Sequence, residues 1–236
     1  MTSRVRTTPS QPPPLVAGGA PEAPVERLSR RQQYSVSTRR TLVEVAETLF
    51  TEHGYAATSL DAIVAGARVT KGALYHHFSG KQALFEAVFA RVEDEAAASI
   101  QRTLDGHDDP WEQATAGLRS FLDVVRQPTY RRIVIQEGPA VLGYERFREQ
   151  EERSTFANVR EIVGAVLSTA DRDVDEETVA TFSRIFFGAM SSAGESVSTS
   201  DDPAAAGARV EAAIGFILAG LRGLMETGAG PGQTAP

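Results

Sequence analysis

The sequence predicts an all-α protein, because apolar residues recur at helical spacing along most of the chain. They occupy positions i, i+3, i+4 and i+7, which places them on one side of an α-helix. Capping residues and breakers such as Asp109-Pro110 and Gly138-Pro139 separate these stretches. No stretch alternates polar and apolar residues as a half-buried strand does, and no internal repeat is visible. We therefore expect helices packed around shared cores.

Both ends of the chain are predicted to lack stable structure. Residues 1–36 are rich in Pro, Ser, Thr, Gly and Arg without a sustained apolar period, so we interpret them as a disordered basic arm. Residues 227–236 are rich in Gly and Pro and are expected to form a flexible tail. We expect neither a signal peptide nor a membrane helix, since the longest apolar run, residues 212–221, is about half of the ~20 residues required. These features favour a cytoplasmic protein without membrane contact.

Residues 37–53 form the first predicted helix, and Gly54 is expected to end it in a left-handed conformation. Arg39 and Arg40 lie in its first turn, where the helix dipole disfavours cations by roughly 0.3 to 1 kcal/mol. With Arg27, Arg30 and Arg31 they are candidate contacts to DNA phosphates or an adjacent minor groove. The alternative is that all five are solvated charges. The apolar stripe of this helix comprises Leu42, Val45, Ala46, Leu49 and Phe50.

Residues 58–81 predict a helix, a tight turn and a short second helix. Ser59 and Thr70 are placed to cap the two helices, because an N-cap hydroxyl accepts a backbone N–H. Arg68 lies in the turn, where the backbone either avoids a positive φ or strains this residue. The inward-facing stripe of the first helix comprises Leu60, Ile63, Val64 and Ala67. On the second helix, Leu74 and Phe78 share the buried side, opposite Gly72, Ala73 and His76 and flanked by Tyr75 and His77.

These residues resemble the helix-turn-helix of the TetR family of transcriptional regulators. The family's usual run is an Ile-Ala pair, an Ala-Gly-Val-Ser turn and Leu-Tyr-His-His-Phe, where this chain has Ile63-Val64, Ala67-Arg68-Val69-Thr70 and Leu74-Tyr75-His76-His77-Phe78. The chain departs from the pattern at Arg68, where the family usually has glycine. The resemblance implies a three-helix DNA-binding domain over residues 37–96, with the motif at about 59–78, whose second helix enters the major groove.

The resemblance also implies which residues contact DNA. They lie at the helix starts and on the outer side of the second helix: Thr58, Ser59, Thr70, Lys71, Gly72, Ala73, Tyr75, His76, His77 and Lys81. Lys71 suits guanine O6 and N7, Ala73 a thymine methyl and Tyr75 a phosphate. His76 and His77 project about 100° apart on a helix, so they are poor partners for one metal ion. We predict neither a metal site nor a cofactor.

Residues 97–226 are predicted to form a second helical domain, which by resemblance binds a small-molecule effector. A long helix over residues 81–104 leads into it, and Asp109-Pro110 starts the next helix, which Pro128 ends. A short helix over residues 130–136 is expected to break at Gly138-Pro139, before one long helix over residues 147–167. The pocket candidates, each with a core or surface position as its alternative, are Trp111, Phe121, Tyr130, Arg131, Phe147 and Phe156.

The last two predicted helices, over residues 175–192 and from Asp202-Pro203 onward, carry apolar residues on more than one face. A helix with little polar surface must be covered on most sides. The resemblance places the homodimer interface here, and the alternative is that both helices are buried within one chain. The interface candidates are Phe182, Phe186, Met190, Ile214, Ile217 and Leu221.

Charge is distributed as a DNA-binding protein requires, although the net charge of the 236 residues is −7. Residues 1–81 contain 10 Lys and Arg against 6 Asp and Glu, whereas residues 82–236 contain 14 against 25. Screening limits repulsion from the acidic part to about 8 to 10 Å. The sequence therefore favours a homodimeric repressor that a small-molecule effector releases from a palindromic operator.

Two other classes of protein compete with this interpretation. An enzyme is disfavoured, because the chain lacks a nucleophile motif and a glycine-rich phosphate loop. Disulfides and thiolate metal sites are excluded, since there is no cysteine. The other class is a dimeric helical binding module without DNA function, which binding to duplex DNA would distinguish.

Overall fold

The computed structural model describes residues 30–169 and 174–227, and within these ranges all regular secondary structure is helical. The predicted all-α class is therefore confirmed. The predicted tail from residue 228 and most of the predicted arm lie outside the described residues. The helices are α1 (Arg30–Ala57), α2 (Leu60–Ala67), α3 (Lys71–His77), α4 (Lys81–Leu104), α5 (Pro110–Arg126), α6 (Pro128–Tyr130), the π-helical segment Arg131–Glu137, α7 (Gly138–Leu142), α8 (Tyr144–Arg153), α9 (Thr155–Leu167), α10 (Glu176–Ser198) and α11 (Pro203–Glu226).

Helices α1 to α4 pack around one apolar core that holds α2 and α3 in place. Phe50 of α1 packs edge-on against Phe85 of α4, with ring centroids 5.3 Å apart. Ile63 of α2 and Leu74 of α3 are buried in the same core. Helices of eight and seven residues are too short to be stable alone. The core therefore fixes the positions of both helices.

The predicted caps of α2 and α3 are confirmed. The Ser59 hydroxyl accepts the Ala62 N–H, and the Thr70 hydroxyl accepts the Ala73 N–H, each at 3.1 Å. Between the helices, Arg68 adopts a left-handed conformation with φ 55° and ψ 41°. Its N–H donates to the Ala65 carbonyl at 3.2 Å, which closes the end of α2. The turn thus keeps the backbone that glycine usually provides, and Arg68 bears the strain.

The predicted limits of the first helix are wrong at both ends. The helix begins at Arg30 rather than at residue 37, because Arg and Gln are good helix formers even without an apolar stripe. Gly54, with φ 79° and ψ 167°, kinks the helix instead of ending it, and helical structure continues to Ala57. A Cβ atom at Gly54 would lie 2.3 Å from an Arg132 guanidinium nitrogen, so this position needs glycine for space as well as for its φ.

Helices α5 to α11 form the body, which α4 joins to the DNA-binding part. Helix α5 packs against α4, α9, α10 and α11. Its predicted start is confirmed, since the Asp109 carboxylate accepts the N–H groups of Trp111 and Glu112 at 2.9 Å. Helix α10 extends to Ser198, six residues beyond the predicted end.

Two predictions for the middle of the body are wrong. Gly138-Pro139 does not interrupt the helical structure, because α7 starts at Gly138. A proline in the first turn of a helix lacks only an N–H that would have no partner there. The single long helix expected over residues 147–167 is two helices, α8 and α9, which separate at Ser154 with φ −118° and ψ −95°. At this break the Thr155 hydroxyl donates to the buried Glu93 carboxylate at 3.3 Å. The break between α8 and α9 thus coincides with a hydrogen bond to a residue that is distant in the chain.

Candidate DNA interface and ligand cavity

The outer side of α3 forms an exposed polar surface beside a buried apolar side. Leu74 and Phe78 are buried in the core, as predicted. On the opposite side the exposed residues are Lys71, Gly72, Tyr75 and His76, while Ala73 and His77 are half-buried. Most of the predicted recognition residues therefore lie on one outward surface. Whether they contact DNA stays a prediction.

Lys71 forms an ion pair with an acidic residue that the sequence analysis did not assign to this surface. The Lys71 ammonium lies 2.7 Å from the Asp61 carboxylate of α2, and both side chains are exposed. The hydrogen bond to Asp61 raises the pKa of Lys71. From the sequence, the helix dipole alone accounts for an aspartate at position 61, in the first turn of α2. The proximity of Asp61 to Lys71 depends on the angle between α2 and α3, which the sequence does not show. Asp61 thus competes with DNA for the lysine.

The predicted phosphate contact of the Thr58 side chain is wrong. Thr58 is buried, and its hydroxyl donates to the carbonyls of Gly54 at 2.8 Å and Leu49 at 3.1 Å. The hydroxyl therefore secures the end of α1 and is not available to DNA. The sequence position beside Ser59 gave no sign of this, because the bond depends on the kink at Gly54.

Lys81 has a comparable internal role. Its ammonium donates to the Tyr55 carbonyl at 2.7 Å and to the Thr58 carbonyl at 2.9 Å. It also lies 4.3 Å from the centroid of the Tyr55 ring. A phosphate contact by Lys81 would have to be added to these bonds or replace them. The other predicted phosphate-binding hydroxyls, those of Ser59 and Thr70, belong to exposed residues at the starts of α2 and α3.

Two described arginines of α1 have defined partners near this surface. The Arg39 guanidinium lies 5.2 Å from the Phe78 ring centroid, so it reaches the end of α3. Arg40 pairs with Glu44 at 3.3 Å. Burial, then His76, then Arg39 lower the pKa of His77, which favours its neutral imidazole. Arg27 lies outside the described residues, as do the side chains of Arg30 and Arg31.

A cavity of about 870 Å³ lies within the helical body. Phe121, Tyr130, Phe147 and Phe156 line it, as predicted for the effector pocket. The prediction is wrong for the remaining two candidates. Trp111 packs in a separate cluster with residues of α9 and α11, and Arg131 is half-buried outside the lining.

The predicted dimer-interface residues are mostly on the inner sides of α10 and α11. Phe182, Phe186, Met190, Ile214 and Leu221 are half-buried and line the cavity, and their assignment to the dimer interface stays a prediction. Ile217 alone of the six is exposed. Both helices are apolar on more than one side, so sequence periodicity did not identify the inner one. The large exposed apolar residues on these two helices are Ile185, Phe216, Ile217 and Leu224, which we call the outer apolar face.

The outer apolar face makes α11 unusual for a surface helix. An 18-residue stretch of α11 has a mean hydropathy of 1.5, and only 11% of it is buried. By length and composition alone, the helix is able to cross a membrane. The sequence analysis did not indicate this, because it considered only the uninterrupted apolar run of residues 212–221.

Both parts of the chain match models of known protein families. Residues 42–88 match the family model described as bacterial regulatory proteins, tetR family, and residues 111–221 match the one described as tetracyclin repressor-like, C-terminal domain. The Transposon Tn10 TetC protein of Escherichia coli is 30% identical over 143 residues, which are 61% of this chain and 72% of TetC. The transcriptional repressor KstR2 of Mycolicibacterium smegmatis is 26% identical over 163 residues, 66% of this chain and 76% of KstR2.

The fold agrees with these matches. A TetR-family transcriptional regulator from Pectobacterium atrosepticum superposes with a TM-score of 0.69 at 28% identity, covering 84% of this chain and 98% of that one. The matched families and relatives regulate transcription, so the enzyme alternative is excluded. The chain belongs to the TetR family of DNA-binding transcriptional regulators.

Proposed function

We propose that this protein is a homodimeric repressor that binds a palindromic operator through two α3 helices and is released by a small-molecule effector. The outward surface of α3 carries this proposal. It offers an ammonium, a phenol and an imidazole beside the small residue Gly72, on a helix that the core holds firmly. Small side chains allow close approach to base edges, while the polar groups suit bases and phosphates. Repression is the mode of action named for the relative KstR2.

The outer apolar face supports a second copy of the chain as its cover. Above Gly188, Gly215, Gly220 and Gly223 there is open space for close helix contact. A membrane would fit α11 less well, because α11 is fastened to the body along its inner side. Val210 and Ile214 pack on the main core, and Glu211 pairs with Arg119 of α5 at 2.6 Å. Two copies of α10 and α11 would instead form a four-helix interface about a twofold axis.

The cavity supports effector control. Its volume of about 870 Å³ lies within the range of pockets for small organic ligands. A ligand that binds one dimer state more tightly shifts the population of the two states and hence the spacing of the α3 helices. We place the protein in the cytoplasm, with the DNA that it binds.

Selection from a random duplex library at about 150 mM salt, where non-specific binding is weak, tests the proposal. We expect enrichment of a palindrome whose half-sites are one helical turn or a multiple apart. Lys71→Ala combined with Tyr75→Ala should abolish binding of that palindrome without changing the mass of the dimer. Tyr144→Ala, at a tyrosine of α8 that is also exposed, serves as the control and should bind normally. Unchanged operator affinity in the double variant would refute the role of α3.

A further inference from the structure

One end of the cavity combines a carboxylate with aromatic walls. Glu151 of α8 is half-buried and lines the cavity. The Ser191 side chain of α10 interacts with its carboxyl and lowers the pKa of Glu151. Phe147 and Phe156, on either side of it in the chain, line the same cavity. A ligand in this space therefore meets aromatic rings and a negative group together.

A second carboxylate lies behind this wall. Glu93 of α4 is buried, and the cavity-lining residues Tyr130 and Thr155 separate it from the open space. Thr155 donates to Glu93 Oε2 at 3.3 Å. Glu93 Oε1 has no hydrogen bond of good geometry among the described residues, although the Tyr130 hydroxyl also interacts with this carboxyl. Glu151 and Glu93 are close enough for the charge of Glu151 to raise the pKa of Glu93.

An exposed arginine, Arg148, partly offsets the charge of Glu151, whose pKa it lowers, but no buried basic side chain is among the described residues that line the cavity. The two arginines that line it, Arg148 and Arg184, are both exposed. Arg148 pairs with Glu152 at 3.4 Å. An anionic ligand group placed deep in the cavity would face Glu151 and Glu93 without a buried basic partner among the described lining residues. A cationic group would be attracted by both, and low local polarity strengthens the attraction.

We propose that the ligand of this cavity is an amphipathic organic cation, with its positive group beside Glu151 and its apolar part against the phenylalanine side chains. Aromatic faces attract cations, and burial of the apolar part adds the hydrophobic contribution. The inference rests on the proposed function only in taking this cavity as the effector site.

Three probes with one phenylalkyl chain test the charge preference on the full-length protein. They end in trimethylammonium, alcohol or carboxylate, and calorimetry measures their affinities. We expect the cation to bind about tenfold more tightly than the alcohol, and the carboxylate to bind most weakly. Glu151→Gln should remove the preference for the cation while the affinity for the alcohol stays the same, which shows that the cavity is intact. Glu149→Gln, the same change at an exposed glutamate of α8 that does not line the cavity, should leave the preference unchanged.

A pH series adds a second readout. The pKa of both Glu151 and Glu93 is raised to about 7, and burial is the largest cause of this rise. The charged or titratable groups around Glu151 are Arg148 and Glu152 of α8, Glu93 of α4 and Tyr130 of α6. Arg184 and Glu195 of α10 line the same cavity. Because the cation favours ionised carboxyls, its affinity should rise from about pH 6 to about pH 8, whereas the affinity of the alcohol should not.

The outcomes separate this inference from the proposed function. Equal or tighter binding of the alcohol or carboxylate, binding of none of the three probes, or a Glu151→Gln variant that keeps the preference would overturn the cationic ligand. None of these results affects operator binding by α3. Conversely, a cation that binds as expected but does not release the selected palindrome would support the ligand class and contradict effector release.

Discussion

Asp61 and Lys71 place opposite charges 2.7 Å apart on the surface that we assign to DNA. In the free protein the lysine is therefore partly neutralised by its own chain. In the proposed complex with DNA, the Lys71 ammonium would exchange this partner for a phosphate or a guanine, and the Asp61 carboxylate would be left near the backbone of the duplex. Asp61 would then oppose DNA binding in general, and a well-placed contact of Lys71 would compensate for it.

Asp61→Asn should strengthen binding to random duplex DNA and make the affinity depend more steeply on salt concentration. Releasing Lys71 adds about one effective phosphate contact, so the slope of log affinity against log salt should become more negative by roughly 0.9. Fluorescence anisotropy across a salt series measures this slope. Asp108→Asn, an exposed aspartate between α4 and α5, carries the same charge change and should leave the slope as it is. An unaltered slope in Asp61→Asn would mean that Lys71 does not reach a phosphate.

Glu93 predicts a pH dependence of stability. Burial, the largest cause, raises its pKa from 4.5 to about 7. The folded state therefore holds this proton more tightly than the unfolded state, so the carboxyl costs nothing below about pH 4.5. Between about pH 4.5 and about pH 7 the unfolded state loses this proton while the folded state keeps it, which lowers the free energy of unfolding by up to about 3 kcal/mol, and above about pH 7 the loss stays constant.

Glu93→Gln should remove this cost, because glutamine keeps an acceptor for Thr155 but does not ionise. The free energy of unfolding of the variant, relative to that of the unaltered protein, should be greater at about pH 8 than at about pH 5, as measured by denaturant unfolding at both pH values. Glu149→Gln, at an exposed glutamate of α8, provides the comparison and should show no such gain. A constant difference between Glu93→Gln and the unaltered protein at both pH values would contradict the assignment.

At the scale of elements, the π-helical segment Arg131–Glu137 joins the cavity to α1. Val134 and Ile135 line the cavity. Arg132 and Glu137 of the same segment form an ion pair at 3.2 Å and lie against the kink at Gly54. The end of α1 in turn receives the hydrogen bonds of Thr58 and Lys81, just before α2 begins. A ligand that displaces Val134 or Ile135 would therefore move residues that contact the DNA-binding part.

Gly54→Ala should destabilise the protein more than Gly143→Ala does. Both glycines have a φ near +80°, at +79° and +77°, and a ψ near 165°, at 167° and 162°, a region that only glycine adopts readily, so each alanine costs about 1 to 3 kcal/mol of backbone strain. Only at Gly54 would the new Cβ also meet side chains, at 2.3 Å from Arg132 and 2.6 Å from Glu137, whereas nothing lies within 4 Å at Gly143. Thermal unfolding measures the difference. Equal losses would show that the Arg132 and Glu137 side chains move aside freely.

The sequence was most informative where helix signals are local. The caps Ser59, Thr70 and Asp109 were each predictable, because a hydroxyl or carboxylate at the N-cap bonds a donor two or three residues away. The buried side of α3 followed from helical spacing. The break at Ser154 was not predictable, because Glu93, which binds Thr155 there, lies 62 residues away in the chain.

The candidate sites show the same division. The sequence identified four residues of the cavity, because aromatic side chains near a bend are good pocket candidates. It did not identify Glu151 as a cavity residue. A glutamate among Glu149, Glu151 and Glu152 has the pattern of a solvated helix face, and only the packing of the helices shows that Glu151 and Glu152 line the cavity and that Glu151 is half-buried. Likewise the inner and outer sides of α10 and α11 were indistinguishable, since both are apolar.

At the scale of the whole molecule, the outer apolar face is the surface through which we propose that two copies of the chain associate. Phe216 at its centre is 81% exposed in the single chain, and it lies opposite the side of α11 that packs on α5. In a twofold dimer each residue of this face occurs twice in the interface. One substitution therefore introduces two charges into a buried surface, at a large cost in association free energy.

Phe216→Glu should convert the dimer to a monomer, as measured by light scattering during size-exclusion chromatography. Operator affinity should fall with it, because the two half-sites would no longer be bound by one linked pair of α3 helices. Val36→Glu, at an exposed apolar residue of α1, should remain dimeric. A variant that stays dimeric would place the interface elsewhere on the molecule.

Lys71 and Lys81 are the two lysines of the chain, and their different surroundings affect how the protein can be captured on DNA in cells. Formaldehyde joins proteins to DNA largely through lysine amines. The amine of Lys81 is held by the carbonyls of Tyr55 and Thr58, whereas that of Lys71 is exposed on α3. Fixation of this regulator to its operator should therefore depend on one side chain. A Lys71 variant would then escape chromatin capture even at sites that it still occupies, so footprinting is the sounder measure of occupancy for this protein.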